Sequence, residues 1–293
     1  MILENERLRV EIADLGKVYG GARFDWTGFI TQVTLDGKHS YCVPESLKAG
    51  EGTGGIGLCN EFGIFRPIGY DDARPGEKFP KLGVGLLTRP DAGPHDFAAP
   101  YAIEPFPMRM TGGADRVVYE VDPLPCRGYE ARLRKTIQLA GAGFDVVYEL
   151  ENVGRWPIRT HEYNHNFVAI DGRPPGPGYS LRLPKGIVPI AVTPPLTLEG
   201  RDVLWSAGVT SPFLNPAPGP YPHVEGAFWE LTRQPGGVGL REIVNFPPEH
   251  FAIWCTPHLI GPEVFIAINL KAGGRMSWTR RYEFFSGGFD KKP

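Results

Sequence analysis

The chain has 293 residues, 42% of them hydrophobic and 22% charged, and 31 Lys and Arg stand against 33 Asp and Glu for a formal charge of -2. This is an ordinary globular composition with enough length for a well-buried core, and it offers no basic field to recruit nucleic acid or an anionic membrane. No stretch of eighteen apolar residues occurs, so no membrane-spanning helix is expected.

Glycine (38) and proline (30) are dispersed among 17 Phe, 11 Tyr and 6 Trp, which predicts many short strands joined by tight turns. The opening MILENERLRVEI carries early charges where a secretion signal would need an apolar run, and its Leu8, Val10 and Ile12 alternate as in a strand. Cys42, Cys59, Cys126 and Cys255 lack zinc-type spacing, and a chain of this length needs no disulfide staples, so a reduced, cytoplasmic protein is expected. FITQVTL and KHSYCV flank Asp36-Gly37, a strong hairpin signal. The glycine-rich GEGTGGIG (50–57) lacks the Gly-Lys-Ser/Thr ending and the βαβ context of a phosphate loop. Asn60, Glu61 and Arg66 then form a polar cluster among turn-forming glycines in CNEFGIFRPIGY.

Residues 129–137 alternate as a strand, and Gly141-Ala142-Gly143 turns the chain into a partner, FDVVYELENVG. IRTHEYNHNFVAI, after Pro157, reads as a further strand with His161, Tyr163 and His165 on one face and Glu162, Asn164 and Asn166 on the other. Four strand residues span roughly 13 Å, so His161 and His165 cannot share one zinc from a regular strand. Residues 172–222 are dense in Pro and Gly and are expected to be long loops inserted in one sandwich, making 1–293 a single domain. HFAIWCT, EVFIAINLKAGG and RMSWTRRYEFF close the chain as three strands. Helix signals are nearly absent, and no G-x-S-x-G elbow or cysteine nucleophile setting is present.

The stretch YEARLRKTIQLAGAGFDVVYELENVGRWPIRTHEYNHNFVAIDG resembles the galactose mutarotase-like (aldose 1-epimerase) superfamily, with Asn164-His165-Asn166-Phe167 in the place of its Asn-His-x-x-Phe-type motif. Asn269-Leu270-Lys271-Ala272-Gly273-Gly274, followed by Trp278 and Tyr282, is similar to that family's closing pattern. The resemblance implies an all-β supersandwich with an open sugar cleft across one sheet face, and an isomerase that interconverts anomers of a small sugar or sugar phosphate. It implies no metal and no cofactor.

Mutarotation needs an acid for the ring oxygen and a base for the anomeric hydroxyl, both titrating near neutrality. The resemblance makes His165 the acid. The family's base is a Glu in a C-x-E-P context, but the matching segment here, Trp254-Cys255-Thr256-Pro257, carries threonine. Glu263, beside Gly261-Pro262, is the expected replacement, reaching the cleft from a loop; Glu61, Glu242 and Glu249 are rivals, and His258 is a further base or a hydroxyl ligand. The family's earlier assisting His has only His95 as a counterpart, by order along the chain. Expected sugar contacts are Asn60, Glu61, Arg66, His161, Trp254 and His258, with Trp254 supplying an aromatic floor and Arg66 and Lys81 an alternative phosphate site. A sugar-binding protein that has lost the catalytic Glu is the alternative reading, and a lyase or hydrolase on the same fold is a third.

Overall fold

The structure is a computed structural model that describes residues 1–184, 186–187, 189, 191–224, 226 and 228–287. Strands build a nine-stranded and a ten-stranded sheet, with a small third sheet of three strands, and every registered pairing is antiparallel. No α-helix occurs among the described residues.

The nine-stranded sheet runs in the order Ile2–Glu4, Leu8–Ile12, Ile30–Leu35, Leu58–Phe62, Ile158–Asn166, Leu259–Leu270, His250–Thr256 and Phe213–Pro218, with His39–Ser40 paired to the third. At the Asp36-Gly37 turn both residues have positive φ, 52° and 64°, the geometry whose twist matches a two-residue hairpin. Strands with one covered face keep the alternation legible in sequence, as in Leu8–Ile12, where Leu8, Val10 and Ile12 are buried and Arg9 and Glu11 are half-exposed. Ile158–Asn166 and Leu259–Leu270 lie mid-sheet and are buried on both faces for most of their length.

The ten-stranded sheet packs on the face of the nine-stranded sheet that carries Glu162 and Asn164. Phe62 of one sheet meets Tyr148 and Trp278 of the other at 5.7 and 6.3 Å between ring centroids, inside one continuous apolar cluster. The same layer holds charges. Arg280 Nη2 lies 2.7 Å from Glu162 Oε2 and its Nη1 lies 2.8 Å from Glu242 Oε1, with all three side chains fully buried. Lys135 Nζ lies 3.3 Å from Asp25 Oδ2 and donates to Asn60 Oδ1 at 3.1 Å. Charges this deep persist only when each has a partner and further hydrogen bonds.

Residues 172–222 differ from the long loops expected. They contain four strands: Tyr179–Arg182, Leu196–Glu199 and Asp202–Trp205 extend one end of the ten-stranded sheet, and Phe213–Pro218 ends the nine-stranded one. Pro216 and Pro218 are compatible with a strand here because it is an edge, where a missing N–H breaks no ladder on the open side.

Candidate functional site

His165 and Glu263 meet on the other face of the nine-stranded sheet. His165 is on Ile158–Asn166 and Glu263 on Leu259–Leu270, neighbouring antiparallel strands whose register brings Tyr163 opposite Phe265 and, two residues on, His165 beside Glu263. Glu263 therefore arrives from a strand and not from a loop. His165 Nδ1 stands 3.0 Å from Glu263 Oε1, and the two residues are only 4% and 6% exposed. The approach is close but not aligned as a hydrogen bond: Nδ1 is buried without a hydrogen-bond partner.

The surroundings explain how both groups are held. Trp254 lies edge-on to the His165 ring at 4.8 Å, and Phe167 stacks on it at 4.4 Å. Tyr163 and Phe265 stack at 4.3 Å one step further along the same face. Opposite Glu263 stands Ala252, and opposite Trp254 stands Gly261, so small residues flank the carboxylate on that side.

Cations nearby are already engaged. Arg23 Nε donates to Glu61 Oε2 at 2.9 Å, its Nη2 to the Tyr163 hydroxyl at 3.0 Å and its Nη1 to Thr53 at 2.9 Å, with Glu45 at 3.4 Å. Lys81 Nζ donates to Glu61 Oε1 at 3.1 Å, and the Tyr163 hydroxyl donates to Glu61 Oε2 at 2.7 Å. Two cations thus answer Glu61 and Glu45, leaving Glu263 uncompensated. Burial pushes the Glu263 carboxyl up to about 8, against a smaller lowering by Arg23. Burial, with Arg23 adding repulsion, holds His165 well below its ordinary value. Both shifts favour the uncharged forms, a carboxylic acid beside a neutral imidazole.

The other predicted residues divide by face. Glu61 is beside the pair but fully occupied by Arg23, Lys81 and Tyr163. His161 is buried two positions before Tyr163, between the Phe65 N–H at 3.3 Å and Arg66 Nε at 3.4 Å, and burial first, then Arg66, lowers it to about 3. Arg66 is ion-paired with Glu249. His258 sits at the turn after Thr256, accepting from Thr256 Oγ1 at 3.0 Å and donating to the Pro44 carbonyl at 2.9 Å, so Thr256 and His258 cap one another. Asn60 faces the opposite way, into the layer between the sheets, where it donates to Glu162 Oε1 at 2.8 Å. Glu242 also lies in that layer, on Arg280. His95 is enclosed by Tyr70, Phe79 and Tyr101, and burial followed by the charge of Lys81 lowers it to about 4.

Arg23 and Phe265 were not singled out from sequence. Phe265 shares strand parity with Glu263, which was readable; Arg23, in GGARFDW, precedes the first long strand in an irregular segment and carries no periodic signal. The glycine-rich 50–57 loop does turn backbone N–H groups on an anion, but the anion is internal: Thr53 N and Gly55 N donate to Glu45 Oε2 at 2.6 and 3.1 Å. Among the described residues no three His, Cys, Asp or Glu side chains gather as a metal site requires, and no helix is long and apolar enough to cross a membrane.

No family model and no curated protein matches the sequence. Solved structures do. A galactose mutarotase-like protein from Lactobacillus casei ATCC 334 is 14% identical over 97% of this chain and 99% of that one, with a TM-score of 0.60. A galactose mutarotase related enzyme from Lactobacillus acidophilus is 11% identical over 100% and 99%, with a TM-score of 0.58. The galactose 1-epimerase from Lactobacillus acidophilus NCFM is 12% identical over 98% and 94%, with a TM-score of 0.52. The chain therefore has the galactose mutarotase-like fold, in a sequence far diverged from these neighbours.

Proposed function

We propose that the protein is an aldose 1-epimerase-like isomerase acting on a small sugar or sugar phosphate, with residues 1–293 working as one domain and His165 and Glu263 as its acid–base pair. One observation carries the reading: two titratable groups of opposite type lie 3.0 Å apart, nearly buried, and His165 Nδ1 is buried without a hydrogen-bond partner among the described residues. A buried polar atom left without a hydrogen bond is costly and calls for a ligand or a function.

The direction of the pKa shifts supports a proton on Glu263, the reverse of the roles the resemblance implied. Glu263, protonated, gives its proton to the ring oxygen while neutral His165 takes the proton of the anomeric hydroxyl. The C1–O5 bond breaks and the C1=O1 bond forms, leaving an open-chain aldehyde beside an imidazolium and a carboxylate. Rotation about C1–C2 followed by the same transfers in reverse closes the ring on the other face. The two reacting oxygens sit on one carbon, which suits an acid and a base that are side by side. The pair begins neutral and becomes an ion pair, so no net charge is ever created in the buried site.

Anomer interconversion, followed by NMR or polarimetry on a panel of free and phosphorylated aldoses, tests this. Acceleration by the wild type that falls at least hundredfold in both His165→Ala and Glu263→Gln is expected, in line with the roughly 10²–10⁴-fold contribution of a positioned proton-transfer group. Saturable sugar binding without acceleration on any aldose would replace the enzyme with a binding protein on the same fold.

A further inference from the structure

The strands that carry His165 and Glu263 are not paired by their backbones where those residues stand. Their ladder runs from Ile158 opposite Leu270 to Tyr163 opposite Phe265, then stops, and resumes in the same register at Val168 and Ile260. At the resumption both backbone bonds are present, Val168 N to Ile260 O at 3.1 Å and Ile260 N to Val168 O at 2.8 Å. The gap between is bridged by side chains from the opposite face. Val264 N donates to Asn164 Oδ1 at 3.1 Å, Arg280 Nη2 donates to Val264 O at 2.9 Å, and Asn166 Nδ2 donates to Pro262 O at 2.7 Å. Pro262 has no N–H, so one ladder bond is barred outright.

Those three side chains are themselves fixed. Asn164 Nδ2 donates to Glu242 Oε2 at 2.9 Å, Arg280 Nη1 donates to Asn164 Oδ1 at 3.1 Å, and the Tyr282 hydroxyl donates to Asn166 Oδ1 at 3.0 Å. Arg280 is anchored on Glu162 and Glu242. Strand alternation makes the coupling direct: Asn164 and Asn166 flank His165, and Pro262 and Val264 flank Glu263. Whatever sets the separation of the two strands on the inner face sets the separation of the pair on the outer face.

We infer that Asn164, Asn166 and Arg280 are positioning residues, a frame that substitutes for the missing ladder bonds and fixes the spacing and orientation of His165 and Glu263. This rests on the acid–base reading above for its consequence, but not for its geometry. Pro262 has a defined part: it prevents the strands from zipping closed.

The test uses Asn166→Leu, which removes the bond to Pro262 O, and Pro262→Ala, which restores an N–H, each compared with the wild type by ¹³C NMR titration of the imidazole and carboxyl carbons. Arg23, Glu61, Lys81 and Tyr163 also face the pair and remain unchanged in both variants. A frame predicts that both variants fold, that His165 and Glu263 titrate closer to their ordinary values in Asn166→Leu as the site loosens and hydrates, that both titrations move away from wild type in Pro262→Ala as the strands draw together, and that kcat drops by roughly 10²-fold in each with KM within about twofold. Tyr282→Phe, which unpins the Asn166 amide and removes the hydroxyl to which Asn164 Nδ2 donates, shifts the titrations the same way as Asn166→Leu by less. Folded variants with wild-type titrations overturn the inference, since a purely structural role would lower stability alone. Should the wild type accelerate no anomer exchange, the proposed function falls while the titrations still decide the frame.

Discussion

At the scale of single residues, the feature that matters is a carboxyl with nothing to answer its charge. Glu61 and Glu242, equally buried, each have cations within 3.1 Å, whereas Glu263 has only a neutral ring. Its raised pKa sets two expectations. Activity should hold through neutrality and fall as pH rises past about 8, where Glu263 loses the proton it must donate; a rate still climbing at pH 9 would remove Glu263 as the acid. Stability follows from linkage: the folded state keeps a proton that the unfolded chain releases near its ordinary value of 4.5, so this residue makes stability decline as pH rises from 4.5 to about 8. Glu263→Gln removes that penalty. The variant should exceed the wild type by roughly 2–4 kcal/mol at pH 9 and match it near pH 4.5, in urea unfolding at the two pH values.

At the scale of elements, turns and close crossings separate two kinds of glycine. Gly37 sits at φ 64° in an open hairpin turn, and a Cβ there meets nothing within 4 Å. Gly57, at φ 67° where the Leu58–Phe62 strand begins, would bring a Cβ to 2.3 Å from the Ile30 carbonyl. Gly37→Ala should cost only the left-handed backbone penalty of about 1–2 kcal/mol, while Gly57→Ala adds a clash with immovable backbone and should cost clearly more by thermal unfolding. The contrast also shows what was legible beforehand. The Asp36-Gly37 hairpin and the strands with one covered face announced themselves, because local turn chemistry and period-two burial are written into consecutive residues. Tyr179–Arg182 through Phe213–Pro218 did not, since strands this short lose their signal to the proline- and glycine-rich turns between them. The nearness of Glu263 to His165 depends on a register between strands nearly a hundred residues apart, and no local pattern encodes it. Asn60 next to Glu61 is the simplest case: adjacent residues in a strand point to opposite faces, and only the fold says which face is the site.

At the scale of the whole molecule, the charges on the surface and those inside should respond to pH very differently. The outer face of the ten-stranded sheet carries cross-strand pairs such as Arg134 with Glu149 and Arg281 with Asp145, all substantially exposed. Pairs of this kind contribute little and are screened by salt. The histidines are another matter. Burial, their largest cause in each case, lowers His161 to about 3, His95 to about 4 and His165 well below 6.5. Below about 6.5 the unfolded chain binds protons at these three positions that the folded chain refuses, so stability must fall as pH drops from 6.5 toward 4. Glu263 and Glu242, both raised by burial, act in the opposite sense over part of this range, but His250 is lowered by burial as well, so two groups stand against four. The acid limb should therefore belong to the buried rings and persist at high salt. His161 is the cleanest handle, being 1% exposed and apart from the His165–Glu263 contact. Replacing it, His161→Gln, should flatten the decline in urea midpoint between pH 6.5 and 4 and leave the pH 7 value little changed. An acid limb as steep in the variant as in the wild type would shift the cause to other groups.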